Sequence, residues 1–360
     1  MWAQDEAKAG AKSPTPAQQY QALLKEYQAA MKAFQEASQN AKTPEEQQKA
    51  FQEKYPKKSA LAPKFIELAE KNSKDPVALE ALLWVVTDNF GPPDNSSASA
   101  KAIALLIRDH IQSEKLGRAC QSMTNGFDAD GIKLLRAIVE KNPHKDVQAE
   151  ASLALAQRLR QQAEFIEELK KTPANAAVYE SYFGKDNVAE LLKGDAAKIE
   201  AEADRQFQEF ADKHVPQMKA DRLAIVCQSL TYSRGKAGES LLRTLLEKDA
   251  RREVQGVACL ALGQMLKARA DQLPVADKSA AEVRAESEQL LERAQEKFAD
   301  VKMSYYGTVG AKAKAELFDL RNLAVGKVAP EVEGIDQDGQ KFKLTDYRGK
   351  VVFLDFWSQY

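Results

Sequence analysis

Apolar residues recur at helical spacing over most of the chain, from Thr15 to about Asn322. The first stripe follows 4-3-4-3 spacing, and its members are Tyr20, Leu24, Tyr27, Met31 and Phe34. Such spacing places side chains on one face of a helix. Proline follows a capping residue at three predicted helix starts, which are Thr15-Pro16, Thr43-Pro44 and Asp75-Pro76. This order is typical of a first helical turn. The pattern therefore predicts a mainly all-α fold in which the first stripe packs against the next helix.

The middle of the chain contains an internal repeat, with copies at residues 113–164 and 220–271. Shifting the sequence by 107 positions aligns 45 consecutive pairs without a gap, starting at Cys120 and Cys227. In these pairs 19 residues are identical, which is too many for shared helical composition alone. The two segments are therefore interpreted as copies of one structural unit.

Each copy predicts three helices. The first contains the cysteine, the second contains Leu-Leu-Arg, and the third starts after Asp146 or Glu253. A long helix is expected after each copy, at about 195–213 and 277–300. Because one helical hairpin cannot bury its own apolar face, neighbouring hairpins stack and share a core. The repeat predicts a solenoid of helical hairpins, similar to tetratricopeptide (TPR) or HEAT arrays but with the consensus of neither.

The pattern changes to strand chemistry from Gly326 to Tyr360. Val351–Trp357 is a continuous apolar run with one acid, which is typical of a strand buried on both faces. Asp336–Gly339 has the acid spacing of a calcium loop, but Tyr347 stands where that loop needs a glutamate. The Asp-Gly pair favours a β-hairpin turn instead.

These patterns divide the chain into three parts. Residues 1–16 are rich in Ala, Lys, Ser and Pro and are expected to be a disordered tail. Residues 17–325 are predicted to form an α-helical repeat domain. Residues 326–360 are predicted to form a β-hairpin and one strand, the truncated start of an α/β domain.

Composition excludes several classes of function. The formal charge is -1, from 52 basic and 53 acidic side chains, so no net basic field would attract nucleic acid. No apolar run approaches the roughly 18 residues that a transmembrane helix needs. No basic and apolar segment precedes Asp5, so no signal peptide is predicted. Met1–Gln4 fits the remnant of a cleaved signal and an artificial start equally well.

Three cysteines and three histidines are the candidates for chemistry in the helical part. Cys120 and Cys227 occupy equivalent repeat positions, which fits a redox or ligand pair, or small residues in the same core layer. Cys259 lies in a helix rich in Ala and Leu, and the core interpretation is favoured for all three. The histidines show no ligand spacing, and they are His110, His144 and His214. No cofactor and no metal site are predicted.

The C-terminal motifs carry a resemblance to a known family. Gly326–Pro330, the Asp336–Gly339 turn, Leu344–Lys350 and Val351–Trp357 together resemble the opening of a TlpA/ResA-type thioredoxin-like (redoxin) domain. In that family a Trp-Cys-x-x-Cys motif follows directly, and here Tyr360 takes the place of its tryptophan. The resemblance implies a protein-disulfide reductase, in which a thiolate attacks a disulfide and a second cysteine resolves the product. Without those two cysteines the chain itself is expected to be inactive.

The resemblance also implies roles for two residues that precede the expected motif. Asp355 stands six positions before the expected first cysteine and matches a buried aspartate that accepts the proton of the resolving cysteine. Its alternative is a partly exposed strand aspartate. Trp357 matches an aromatic residue that flanks the active site, and its alternative is plain core packing.

The implied parent protein is a thiol–disulfide oxidoreductase of the periplasm or cell envelope. Its partners would be protein thiols and disulfides, and its helical part would bind or position a protein partner. Two alternatives stay open. One is a non-catalytic helical scaffold that binds proteins. The other is a peroxiredoxin-type peroxidase, although the Asp355-Phe356-Trp357 ending favours the reductase branch.

Overall fold

The computed structural model describes residues 13–87, 97–124, 129–231, 236–274, 277–303, 307–336 and 338–355. Over these ranges the chain is mainly helical, which confirms the predicted fold class. The chain divides into two compact units, residues 1–218 and 219–360. These units do not test the predicted division into a tail, a repeat domain and a C-terminal segment, which stays a prediction. Within the described ranges, no helix combines the length and the apolar character that crossing a bilayer requires.

The first unit contains eleven α-helices among its described residues. They are α1 Pro16–Asn40, α2 Pro44–Lys54, α3 Lys58–Lys71, α4 Pro76–Val86, α5 Ser97–Asp109, α6 Leu116–Ser122, α7 Ala129–Lys141, α8 Lys145–Lys171, α9 Ala176–Phe183, α10 Lys185–Leu192 and α11 Ala196–Lys213. Short 3₁₀ turns at Pro173–Asn175 and Val215–Gln217 follow α8 and α11.

The described part of the second unit contains five α-helices and two small antiparallel strand pairs. The helices are α12 Ala220–Leu230, α13 Lys236–Lys248, α14 Arg252–Gln272, α15 Lys278–Lys297 and α16 Val309–Phe318. The strands are β1 Lys302–Met303, β2 Gly307–Thr308, β3 Glu333–Ile335 and β4 Lys341–Lys343. A π-helical turn, Asp319–Leu323, continues α16, and a 3₁₀ turn, Leu344–Tyr347, follows β4.

Phe34, the last member of the first apolar stripe, meets Phe51 of the next helix, α2, as predicted. Two earlier members contact later helices instead. Tyr20 of α1 meets Phe65 of α3 edge-on with ring centroids 5.7 Å apart. Tyr27 meets Trp84 of α4 in the same way at 5.3 Å. Phe65 in turn stacks on Trp84 at 4.0 Å and is fully buried. The stripe therefore fixes α1 onto α3 and α4 through aromatic contacts, each worth about 0.5–1.5 kcal/mol beyond burial.

The second helices of the two repeat copies coincide when they are shifted by 107 residues, and the third helices begin at equivalent positions. Helix α7 spans Ala129–Lys141 and α13 spans Lys236–Lys248, while α8 and α14 begin at Lys145 and Arg252. Each copy thus forms three helices as predicted, although the third begins one residue before Asp146 or Glu253 and not after it. The long helices expected after the copies are α11 and α15, whose N-caps Asp195 and Asp277 each accept a backbone hydrogen bond. Stacking of the hairpins into a solenoid stays a prediction.

The turn before the third helix is built in the same way in both copies. Asn142 Oδ1 accepts from the N–H of His144, and Asp249 Oδ1 accepts from the N–H of Arg251, both at 2.9 Å. The glutamine six residues after Asn142 or Asp249 donates back to the carbonyl of that residue, at 2.7 and 2.8 Å. In each copy, a side-chain oxygen at the equivalent position therefore organises the turn.

One described element before Gly326 departs from the all-helix prediction. Strands β1 and β2 pair Lys302 with Thr308 and Met303 with Gly307, between α15 and α16. Gly307 has φ +78°, a conformation that favours glycine. Two-residue strands are too short for a period-2 apolar pattern, so the hydrophobic spacing gave no signal for this pair.

Candidate functional site

The C-terminal segment contains the hairpin that the Asp-Gly pair predicts. Strands β3 and β4 are antiparallel, with Gly334 opposite Phe342. Asp336 Oδ1 accepts from the N–H groups of Asp338 and Gln340 at 2.9 and 2.8 Å. Gly339 adopts φ +78°. The Asp336 side chain therefore shapes a turn, as the hairpin interpretation requires.

The turn after β4 is fastened to the residues just before β3. The Glu331 carboxylate accepts from the backbone N–H and the hydroxyl of Thr345, at 3.0 and 2.6 Å. These hydrogen bonds hold the pKa of Glu331 below its usual value. The N–H of Leu344 also donates to the carbonyl of Val332 at 2.9 Å. The motif residues 344–350 thus leave the hairpin in one defined direction.

The segment after Gly349 differs from the predicted buried strand. Residues 351–355 belong to no strand and are exposed, with Val351 at 102% and Phe353 at 89% relative exposure. A strand requires a neighbour to satisfy its backbone N–H and carbonyl groups, and periodicity does not show whether that neighbour is present. No strand pairs with residues 351–355 in the described part of the chain. The apolar run alone was not enough to form the strand.

The missing strand also affects the two predicted site residues, Asp355 and Trp357. Asp355 is exposed, so the described residues do not supply the burial that the resemblance implies. Trp357 and Tyr360 lie outside the described residues. The roles of Asp355 and Trp357 stay predictions, because they depend on neighbouring strands that this structure does not show.

The three cysteines are buried free thiols. Burial raises the pKa of Cys120 and of Cys227 to about 12, with a smaller contribution from a nearby carboxylate in each copy. Burial also raises the pKa of Cys259 to about 11, and its Sγ donates to the carbonyl of Leu290 at 3.2 Å. Because the thiolate is the nucleophile in disulfide exchange, these environments suit core packing and oppose redox chemistry.

None of the three histidines lies in a cluster of possible metal ligands within the described residues. Burial lowers the pKa of His110, and burial with the charges of Lys145 and Lys213 lowers that of His214. His144 precedes α8 without a side-chain capping bond. The described residues contain no group of three or more His, Cys, Asp or Glu side chains that could hold a metal ion.

A cleft of about 730 Å³, which the sequence pattern did not predict, lies along the outer face of α13. Its lining is mostly charged, and it comprises Lys236, Glu239, Ser240, Arg243, Thr244, Glu247, Lys248 and Arg269. Glu239 pairs with Arg243 and Arg269 at 2.8 and 2.6 Å, and Arg243 also pairs with Glu286 at 2.7 Å. The arginines are therefore already neutralised. Polar residues at helical spacing gave the only signal, and that signal is common to solvated helix faces.

Comparison with known proteins gives one short similarity. No family model matches the chain, and no solved structure matches it. A stretch of 36 residues, 10% of the chain, is 53% identical to the thiol-disulfide oxidoreductase ResA of Geobacillus thermodenitrificans. The match spans 21% of the length of that protein. The chain thus has a weak and partial similarity to a thiol–disulfide oxidoreductase.

Proposed function

We propose that residues 326–360 are the opening of a thioredoxin-like domain in a thiol–disulfide oxidoreductase of the cell envelope. The observation that carries this proposal is the 53% identity to ResA over 36 residues. We infer that this match falls on the C-terminal segment, because that segment contains the redoxin-like motifs. The β3–β4 hairpin and the fastened turn at Thr345 support the proposal, since they form local structure from the motif residues.

The chemistry of the proposed domain requires two cysteines after Tyr360, in a Cys-x-x-Cys motif. Cys120, Cys227 and Cys259 do not supply this pair, because buried thiols are not suited to attack a disulfide. In the completed domain, further strands would cover the apolar run at residues 351–354. They would also bury Asp355 beside the resolving cysteine, where a carboxylate accepts its proton. The helical part would bind or position the protein whose disulfide is reduced.

A second candidate is a non-catalytic helical scaffold. The observation that favours it is the burial of all three thiols in a chain that is mainly helical over its described ranges. The reading frame beyond Tyr360 separates the two candidates. A Cys-x-x-Cys motif directly after Tyr360 supports the reductase, and its absence supports the scaffold.

An insulin-reduction assay tests the reductase on the extended protein. We expect turnover with the extended protein, and none with this chain or with a variant in which serine replaces both motif cysteines. Asp355→Asn in the extended protein should slow turnover while leaving the midpoint of thermal unfolding close to the parent value. Absence of turnover with both cysteines present would refute the reductase proposal.

A further inference from the structure

The end of helix α16 widens into the π-helical turn Asp319–Leu323. Asn322 Nδ2 donates to the carbonyl of Phe318 at 2.9 Å. In an α-helix that carbonyl would accept from the backbone N–H of Asn322 instead. The Asn322 side chain therefore donates to the carbonyl that its own backbone N–H would bind in an α-helix. π-helical turns are rare, and this one lies at the C-terminal end of its helix, where π-turns are a known ending.

Two groups of ion pairs hold this turn from different helices. On one side, Lys267 of α14 contacts Glu316 at 2.7 Å and Asp319 at 3.4 Å. The pair with Glu316 is largely shielded from solvent, whereas the Asp319 side chain is about half exposed. On the other side, Arg321 contacts Glu288 at 2.6 Å and also Glu292, one helical turn apart on α15. We call the contacts of Arg321 the Arg321 clasp. Its arginine is 45% exposed, so the clasp is accessible to solvent and salt.

The segment after the turn is fastened mainly to itself. Among the described residues from Ala324 onward, side-chain hydrogen bonds and ion pairs join partners within the segment, such as Glu331 with Thr345 and Glu333 with Lys343. Val325 and Val328 are exposed at 83% and 85%. The direction of the segment therefore depends chiefly on the backbone at the turn and on what holds that backbone.

We propose that the turn Asp319–Leu323 is a hinge, and that the Arg321 clasp sets the direction in which the C-terminal segment leaves α16. Widening an α-helix to a π-helical turn inserts one residue, and each helical residue rotates the following chain by about 100°. Relaxation of the turn to α geometry would redirect the segment as one piece. This inference concerns the geometry of the segment and holds whether or not the proposed redox activity is confirmed.

The test is a distance measurement between two spin labels on the full chain. Glu296→Cys on α15 and Lys341→Cys on β4 provide exposed attachment sites on either side of the hinge. The three native thiols are buried, and unsubstituted protein serves as the labelling blank. Arg321→Gln should raise the population of label-to-label distances outside the parent peak by roughly fivefold. This factor corresponds to about 1 kcal/mol, the upper range for exposed ion pairs. Asn322→Ala, which favours α-helix, should shift the mean distance.

The matched control is Arg252→Gln, which removes a similarly exposed arginine pair between the start of α14 and Asp300, a residue that follows α15 and lies away from the turn in sequence. It should leave the distance distribution unchanged. If Arg321→Gln leaves the distribution unchanged, or if Arg252→Gln broadens it equally, the hinge is refuted. Should Arg321→Gln fail to fold, raising NaCl to about 1 M on the otherwise unsubstituted labelled chain replaces it, because salt screens an exposed clasp. An unchanged distribution in salt would then refute the hinge.

Discussion

The three cysteines give the sharpest prediction about chemistry in this chain, because their reactivity follows from burial. With a pKa of about 12, Cys120 and Cys227 are ionised in about one molecule in 10⁴ at about pH 8. An ordinary cysteine of pKa about 8.5 is ionised to about one quarter at that pH. Ionisation alone should therefore slow attack on an aromatic disulfide reagent by about two thousandfold. For Cys259, with a pKa of about 11, the factor is about two hundred.

The assay follows the release of the coloured thiol when the folded chain is mixed with excess reagent. Single-thiol variants, in which alanine replaces the other two cysteines, assign the rates. Any labelling of the folded chain faster than this direct attack should come from local or global opening, so its rate should follow hydrogen exchange of the surrounding helix. In about 6 M guanidinium chloride all three thiols should react at the rate of a free cysteine.

The result that would refute this reasoning is fast labelling of one thiol in the folded chain. Such a thiol would be accessible and ionised, and the core interpretation would fail for that residue. Fast labelling of both Cys120 and Cys227 would restore the redox-pair interpretation of the repeat. Slow labelling of all three would support the core interpretation of these thiols.

Four further predictions concern stability. Phe65→Ala should lower the free energy of unfolding by about 4 kcal/mol, since it removes a fully buried ring stacked on Trp84. Asn142→Ala should lower it by about 3 kcal/mol, because Asn142 makes three hydrogen bonds that include the carbonyls of Ile111 and Ser113. Burial lowers the pKa of His214, so the unfolded chain binds its proton first and stability should fall as pH drops below about 6.5. Limited proteolysis should remove residues 324–355 before it cuts the helices, because this segment is largely exposed.

Each of these predictions has a control. Phe51→Ala, at a half-exposed ring, should cost much less than Phe65→Ala, and equal costs would contradict the assigned core. Asn142→Asp should fail to rescue Asn142→Ala, because it restores the acceptor without the amide donor. His214→Gln should reduce the fall in the free energy of unfolding below about pH 6.5. If the fall is unchanged, other groups cause it. Resistance of the C-terminal segment to proteolysis would show that it is docked or paired.

Local signals predicted much of the fold. Thr15, Thr43 and Asp75 cap the helices that they were expected to begin. The Asp-Gly pair at Asp338 produces a hairpin turn, and the repeat copies form matching helices. In each case the cause lies within a few residues, so the sequence contains it directly.

Features set by distant partners were not predicted. The sequence Asp319–Leu323 is compatible with an α-helix, and its widening accompanies contacts with Glu288 and Lys267, which lie 31 and 52 residues before Asp319. The apolar run at residues 351–355 required a strand partner that the described residues do not provide. Apolar periodicity indicates which residues prefer burial and contains no information on whether a partner covers them.

The paired turns at Asn142 and Asp249 have a consequence for the history of the chain. Both residues keep the same oxygen acceptor, while the other side-chain atom has diverged. In Asn142 that atom is a nitrogen that donates to two carbonyls, and in Asp249 it is an oxygen that binds the guanidinium of Arg251 at 2.5 Å. If one ancestral three-helix unit gave rise to both copies, the shared oxygen acceptor is the inherited part of the turn. The second atom records how each copy later specialised, so exchanging the two turns between the copies would not be neutral.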